Sequence, residues 1–169
     1  FEVFDQGLGG GLDQLQHTLL AHESGHYDGD SGAAVAHTQT MDSFKSPTNF
    51  GDYYASRMRA WYMPPLTSNY TFYCKADDLC ELYMGKGVDP RELPLRRSDE
   101  LSWEQHAESA LELISYLDRH TTKWNEYVGQ QSTKVELQAG KVYPMEVIHI
   151  ENHGGDRVGV GVKVHSVVS

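Results

Sequence analysis

The run RVGVGVKV at 157–164 constrains this chain more than any other stretch. Val158, Val160, Val162 and Val164 recur at a strict period of two, which lines one face of an extended strand. Gly159 and Gly161 hold the opposite face, where the missing side chain lets a neighbouring backbone or a ligand come close. Alternating or aromatic-rich runs of the same kind recur in FEVF, YYASRMRAWYM, YTFYCKA, LCELYM, KVELQ and VYPMEVIHI. Turn-forming PPLTSN, DD, AGK and ENHGGD separate most of them, so the middle reads as strand, turn, strand, tight turn, strand. A 169-residue chain written this way is predicted to be all-β. The expectation is one antiparallel β-sandwich over residues 1–169, jelly-roll-like, with loop insertions and one or two short helices.

Three stretches read differently. LDQLQHTLL sets Leu12, Leu15 and Leu19 at helical spacing, leading toward HESGH. Residues 27–49, rich in Gly, Ser, Asp and Thr, read as a long irregular surface segment. Between 98 and 120, Ala107, Ala110, Leu111, Ile114 and Leu117 follow a helical period, although LELISYL serves equally as a strand.

Acidic residues outnumber basic ones 24 to 14, and the net charge of −10 excludes DNA and RNA as partners, since phosphate binding needs the opposite sign. No apolar run approaches the length of a membrane span. The start at Phe1 is what a mature or excised domain would show. Cys74 and Cys80, in YCKADDLC, are too few and wrongly spaced for a four-cysteine zinc site. A disulfide between them would imply an oxidising compartment. On paired strands they face each other only if the intervening loop has odd length; a strict two-residue Asp77-Asp78 turn points them apart. Asn69-Tyr70-Thr71 is an N-glycosylation sequon and points to the same extracellular or cell-surface setting.

HESGH, from His22 to His26, writes the pattern in which two imidazoles on one helix face hold Zn²⁺ and Glu23 acts as base. The longer form of that motif needs a third histidine where Gly32 stands. Ser24-Gly25 inside the motif and Asp28-Gly29-Asp30 after it weaken the helix that would present both rings. The short stretch before His22 is also too brief for the sheet edge that aligns a peptide substrate. A zinc peptidase is therefore the remote reading, and no enzymatic activity is expected. GLGGG and Arg96-Arg97 read as a flexible turn and a solvated basic pair.

Asp77-Asp78 needs its own account. Adjacent carboxylates repel each other unless water or a cation compensates. A solvated acidic turn satisfies the sequence, and so does a Ca²⁺ site, because that ion takes roughly 6–8 oxygen ligands.

SPTNFGDYYASRMRAWYMPPLTSNYTFYCKADDLCELYM resembles the core of the PA-fourteen domain. The shared pattern is an Arg-x-Arg strand, a Pro-containing turn, N-Y-T-F, a further strand, then Asp-Asp followed by x-x-E-L-Y. TTKWNEYVGQQSTKVELQAGKVYPMEVIHIENHGGDRVGVGVKV is similar to the family's W-x-x-Y, Q-x-S, L-x-A-G-K-x-Y and G-G-D segments, in the version carried by fibrocystin-type receptors. Together these stretches cover about half of the chain, in family order. Residues 5–50 match only loosely, and 91–110 looks like an insertion. The resemblance implies a strand over Leu111 to Leu117, against the helical period.

It also implies a site. In lectin-like members the Asp-Asp pair, often joined by a cis peptide, binds Ca²⁺ at the tip of the sandwich. Carried over, Asp77 and Asp78 are side-chain ligands, Asn152 adds its amide oxygen, and carbonyls of Gly154 to Asp156 complete the shell. The Asp156 carboxylate is either a further ligand or a cap for its turn. His153, Gly154, Gly155, Arg157, Trp124 and Tyr127 would surround a sugar bridged to the ion. The two aromatics could stack on its ring, although the size of Trp124 also suits a core position. The implied function is a non-catalytic, Ca²⁺-dependent binding or adhesion module for a glycan or an extracellular protein, flanked by other domains of a larger ectodomain. A metal-free structural spacer is the alternative.

Overall fold

In the computed structural model, residues 2–5, 35–93 and 111–165 are described. The alternating runs form β1 (Glu2–Asp5), β2 (Val35–Thr38), β3 (Tyr54–Tyr62), β4 (Ser68–Asp77), β5 (Leu79–Met84), β6 (Glu112–Asp118), β7 (Val135–Leu137), β8 (Tyr143–Glu151) and β9 (Arg157–Val164). They make a six-stranded sheet, ordered β2-β1-β3-β8-β5-β6, and a three-stranded sheet, ordered β7-β4-β9. Every pairing between these strands is antiparallel. Two three-residue 3₁₀ turns, Pro90–Glu92 and Val128–Gln130, are the helical elements among the described residues, and neither lies where the sequence suggested a helix.

The period of two sets the core. Tyr70, Phe72, Cys74 and Ala76 of β4 and Val158 of β9 face inward from the small sheet. They meet Met58 of β3, Leu82 and Met84 of β5, Leu117 of β6, and Met145 and Val147 of β8. Burial of these apolar side chains is the main force holding the two layers together, at about 25 cal/mol per Å² removed from water. On the other face of the large sheet, Ala55, Leu79, Ile148 and Ile150 form a smaller cluster. β8 is therefore buried along its whole length, as a central strand covered on both faces must be.

Several expectations change. β4 and β5 lie in different sheets, so Asp77-Asp78 is not a hairpin turn but the crossover between layers. Cys74 and Cys80 both face the interior and form a disulfide across it, with Cα atoms 6.4 Å apart. The odd-or-even loop question does not arise, because the two strands never pair. Residues 111–117 are strand and not helix: β6 adds to the edge of β5, burying Ser115 and Leu117 and leaving Leu113 and Tyr116 exposed. Pairing with β5 overrode the helical period. The segment 27–49 is not wholly irregular, since it contains β2, and Lys45 bridges Gly159 at the free side of β9. Of the valine stripe, Val158 is buried whereas Val162 and Val164 are exposed among the described residues. HESGH, the helix proposed at 12–19, Arg96-Arg97 and residues 94–110 of the proposed insertion lie outside the described residues.

Candidate functional site

The crossover, the loop 152–156 and the loop 49–53 converge at one tip of the sandwich. The Asp77-Asp78 peptide bond is cis. Asp78 Oδ2 accepts from the main-chain N–H of Asn152 at 3.2 Å. Asp77 Oδ2 pairs with His120 Nδ1 at 2.7 Å and lies 3.7 Å from the Arg157 guanidinium. A Cβ built on Gly155 would stand 3.6 Å from Asn49 Oδ1 and 3.8 Å from Asp77 Oδ2, so the glycine loop passes directly beside both oxygens. Gly154, at φ 115°, holds a backbone shape that only glycine adopts at low cost, and its N–H donates to Asp52 at 2.9 Å.

Asp156 organises the neighbouring loop. Its buried carboxylate accepts from the N–H groups of Phe50 and Gly51 and from the Tyr54 hydroxyl, at 2.7–2.9 Å. Burial, then that hydrogen bond, pushes the Tyr54 phenol well above its ordinary range. Asn49 and Tyr53 flank the same loop, each with φ 55°. For a bulky residue such as Tyr53 this left-handed backbone is unfavourable by roughly 1–2 kcal/mol. It is held by a bond from its N–H to the Asn152 carbonyl at 2.7 Å and by stacking of its ring on His153.

Beneath the rim, β8 turns two polar groups inward where its register predicts apolar ones. His149 is fully buried, and burial lowers its pKa. Its Nε2 contacts the Asp77 carbonyl at 2.8 Å. A carbonyl can only accept, so Nε2 carries the proton and Nδ1 accepts from the Ser56 hydroxyl at 3.2 Å. Glu151, two residues on, is also fully buried, and among the described residues neither carboxylate oxygen has a hydrogen-bond partner. Burial, followed by the fields of Asp78, Asp77, Asp156 and Asp52, pushes its pKa up to about 8.

The structure thus brings together Asp77, Asp78, Asn152, His153, Gly154, Gly155, Asp156 and Arg157. The Asp156 oxygens are engaged as the cap of the 49–51 turn. Trp124 is neither core nor beside the acidic pair: it is 40% exposed and packs on the outer face of β9. Cβ atoms on Gly159 and Gly161 would lie 3.7 and 3.2 Å from its ring, so the space beside the paired glycines is taken by an indole side chain and not by the backbone or ligand that the sequence suggested. Tyr127 stands under Arg119 at 5.1 Å. Asn69 is exposed on β4, while Thr71 of the same sequon is buried against His165 Nε2 at 2.8 Å. Among the described residues, no three His, Cys, Asp or Glu side chains form a metal-holding group.

Sequence reasoning missed Glu151, His149, His120, Asn49 and Asp52. The first two were readable: in VYPMEVIHIE the inward period runs Met145, Val147, His149, Glu151, and two polar residues end an apolar face. Asn49 carries the weaker signal that Asn tolerates a left-handed backbone. His120 carries none.

Fibrocystin from Canis lupus familiaris is 27% identical over 133 residues, covering 76% of this chain. Fibrocystin from Mus musculus is 27% identical over 142 residues, again covering 76% of the chain. The chain spans only 3% of the length of these relatives. Among solved structures, the Candida glabrata epithelial adhesin 6 A domain, in complex with Galb1-3GlcNAc, is similar with a TM-score of 0.46 and 18% identity. That match covers 70% of this chain and 46% of the adhesin chain. The epithelial adhesin 9 A domain from the same organism, in complex with Galb1-4GlcNAc, gives 0.46 and 16%, covering 66% and 44%. The GLEYA domain model matches residues 54–164, from the first residue of β3 to the last of β9, and on that match the chain belongs to the GLEYA domain family.

Proposed function

We propose that this domain is a non-catalytic, Ca²⁺-dependent binding module of an extracellular or cell-surface protein, with a glycan as its ligand. The observation that carries the reading is the acidic tip. Asp77 and Asp78 lie side by side at the crossover, opposite Asn152 and the Gly154-Gly155 loop, with the unpartnered carboxylate of Glu151 buried behind them. Carboxylates gathered at this density repel, and the available donors are the hard oxygens that Ca²⁺ takes. Asp77, Asp78 and Asn152 would hold the ion by side chain, with carbonyls of the Gly154 to Asp156 loop, while Asp156 itself keeps the adjacent loop in place. A bound Ca²⁺ would supply positive charge and open positions for vicinal sugar hydroxyls. GLEYA domains are related to PA-fourteen-type lectin domains, which supports the same reading, as do the sequon at Asn69 and the disulfide for an extracellular setting.

A metal-free structural module is the second reading, favoured by the contacts that His120 and Arg157 already make with Asp77. Calorimetric titration with Ca²⁺ separates the two. Binding in the wild type that is lost in the Asp77→Ala, Asp78→Ala double variant supports the first. Equal heats from both proteins, with no rise in melting temperature over a chelator control, support the second. A glycan array with and without Ca²⁺ then tests the ligand class.

A further inference from the structure

We propose that the outer face of the small sheet carries a binding subsite for an acidic saccharide, in which Lys45, Lys75 and Arg157 receive a sulfate or carboxylate and Trp124 receives the sugar ring. The saccharide half rests on the glycan reading above; the anion half does not depend on Ca²⁺.

The strand register builds this subsite. Lys75 of β4 pairs with Gly159 of β9, and Lys45 bridges Gly159 from the other side. Directly opposed residues of neighbouring strands share a face, so the two lysines flank a position that has no side chain. Arg157, two residues before Gly159, shares that face. The outcome is a hollow of about 490 Å³ lined by all three cations, with Gly159 in its floor and Trp124 in its wall. The Lys75 ammonium lies 4.4 Å from the Trp124 ring centroid.

Three like charges crowded in this way are unfavourable. Burial lowers the Lys75 pKa, and the Arg157 and Lys45 charges lower it further. Among the described residues no carboxylate forms an ion pair with Lys45 or Lys75. Among the described residues Arg157 has the 3.7 Å approach to Asp77, and its Nε is buried with no hydrogen-bond partner. The chain carries a net charge of −10 and 14 basic residues in all, yet among the described residues two of the three cations gathered here, Lys45 and Lys75, have no carboxylate partner. An anion supplies the missing countercharge and accepts from the two lysine ammonium groups. The exposed indole beside it offers the flat apolar surface that a sugar ring covers.

The test is binding of a chondroitin sulfate hexasaccharide in EDTA at about 0.15 M salt, read by calorimetry, with its chemically desulfated form and inorganic sulfate as parallel probes. K45Q and K75Q are each expected to weaken hexasaccharide binding about tenfold, the scale of one charge-assisted hydrogen bond. K163Q removes the same charge from the same face of β9 outside the hollow and is expected to change it less than about twofold. W124L is expected to weaken the hexasaccharide and leave sulfate unaffected. Retained binding after desulfation assigns the carboxylate, and lost binding assigns the sulfate. Equal losses in K45Q, K75Q and K163Q would reduce the effect to general charge and overturn the proposal, as would absence of binding by the folded wild type. Every arm is free of Ca²⁺, so failure of the acidic tip to bind metal leaves these results untouched.

Discussion

His149 Nε2 donates to the main-chain carbonyl of Asp77 at 2.8 Å, so the central strand of the large sheet grips the last residue of β4 in the small one. The bond spans the interior just where the chain crosses between layers. The Asp77 carbonyl faces inward on this bond, while its carboxylate meets Arg157 and His120 at the rim.

His149→Leu is expected to destabilise the domain by about 2 kcal/mol, because the Asp77 carbonyl and the Ser56 hydroxyl both lose a buried partner. Urea unfolding measures the loss. The same variant should weaken Ca²⁺ binding, since Asp77 is no longer held from below. Unchanged stability would mean that the crossover is fixed by the disulfide alone.

Two buried groups set opposite pH limits in the metal-free domain. His149 has a lowered pKa when folded. Its contribution is therefore present above the ordinary histidine value of 6.5 and is lost as pH falls below it. Glu151 is raised from 4.5 to about 8. Its contribution is present below 4.5 and is lost as pH climbs through 8. Glu151→Gln should flatten the fall in melting temperature that its carboxyl causes in chelator as pH rises between 4.5 and about 8, and leave the acid-side fall from His149 unchanged. If Ca²⁺ binds at the tip, saturating ion should shrink the fall between pH 4.5 and about 8 in the wild type, because it offsets the fields of Asp78 and Asp77.

Asp156→Asn tests the loop anchor. An amide keeps one acceptor oxygen where the carboxylate accepts from Phe50, Gly51 and Tyr54. Charge-assisted bonds of this kind are worth about 1.5–3 kcal/mol each in favourable cases, so a loss of about 2–3 kcal/mol is expected. Amide hydrogen exchange should quicken first at Phe50 and Gly51. Exchange rising equally throughout the domain would place the anchor in the global fold and not in the rim.

What the sequence made legible was local. The period of two in RVGVGVKV and VYPMEVIHI named the strands, although of the valine face Val162 and Val164 are exposed, and the glycines of β9 marked a close approach without saying by what. Sheet membership was not legible, because alternation looks the same whether consecutive strands pair or cross between layers. That is why Asp77-Asp78 reads as a hairpin in the sequence and acts as a crossover in the fold. β6 misled for a related reason: Ala107 to Leu117 satisfies a helical period, and only pairing with β5 decides against it. Asp77, Asp78, Asn152 and Gly154 to Arg157 could be placed together through the family resemblance. Lys45, Lys75 and Trp124 could not, since their meeting depends on the register across Gly159.

The disulfide offers a last test of the crossover. Cys74 and Cys80 are only six residues apart, so closing this loop restricts the unfolded chain modestly, by about 2 kcal/mol in a loop-entropy estimate. Their bond ties β4 to β5 on either side of Asp77-Asp78, however, so its effect on the rim should exceed its effect on the fold. Cys74→Ala, Cys80→Ala is expected to lower stability by that modest amount in chelator. With saturating Ca²⁺ the melting temperature should recover in part, because an ion shared between the crossover and the 152–156 loop ties the same segment from the other side. Equal losses with and without Ca²⁺ would indicate that no ion bridges these two loops.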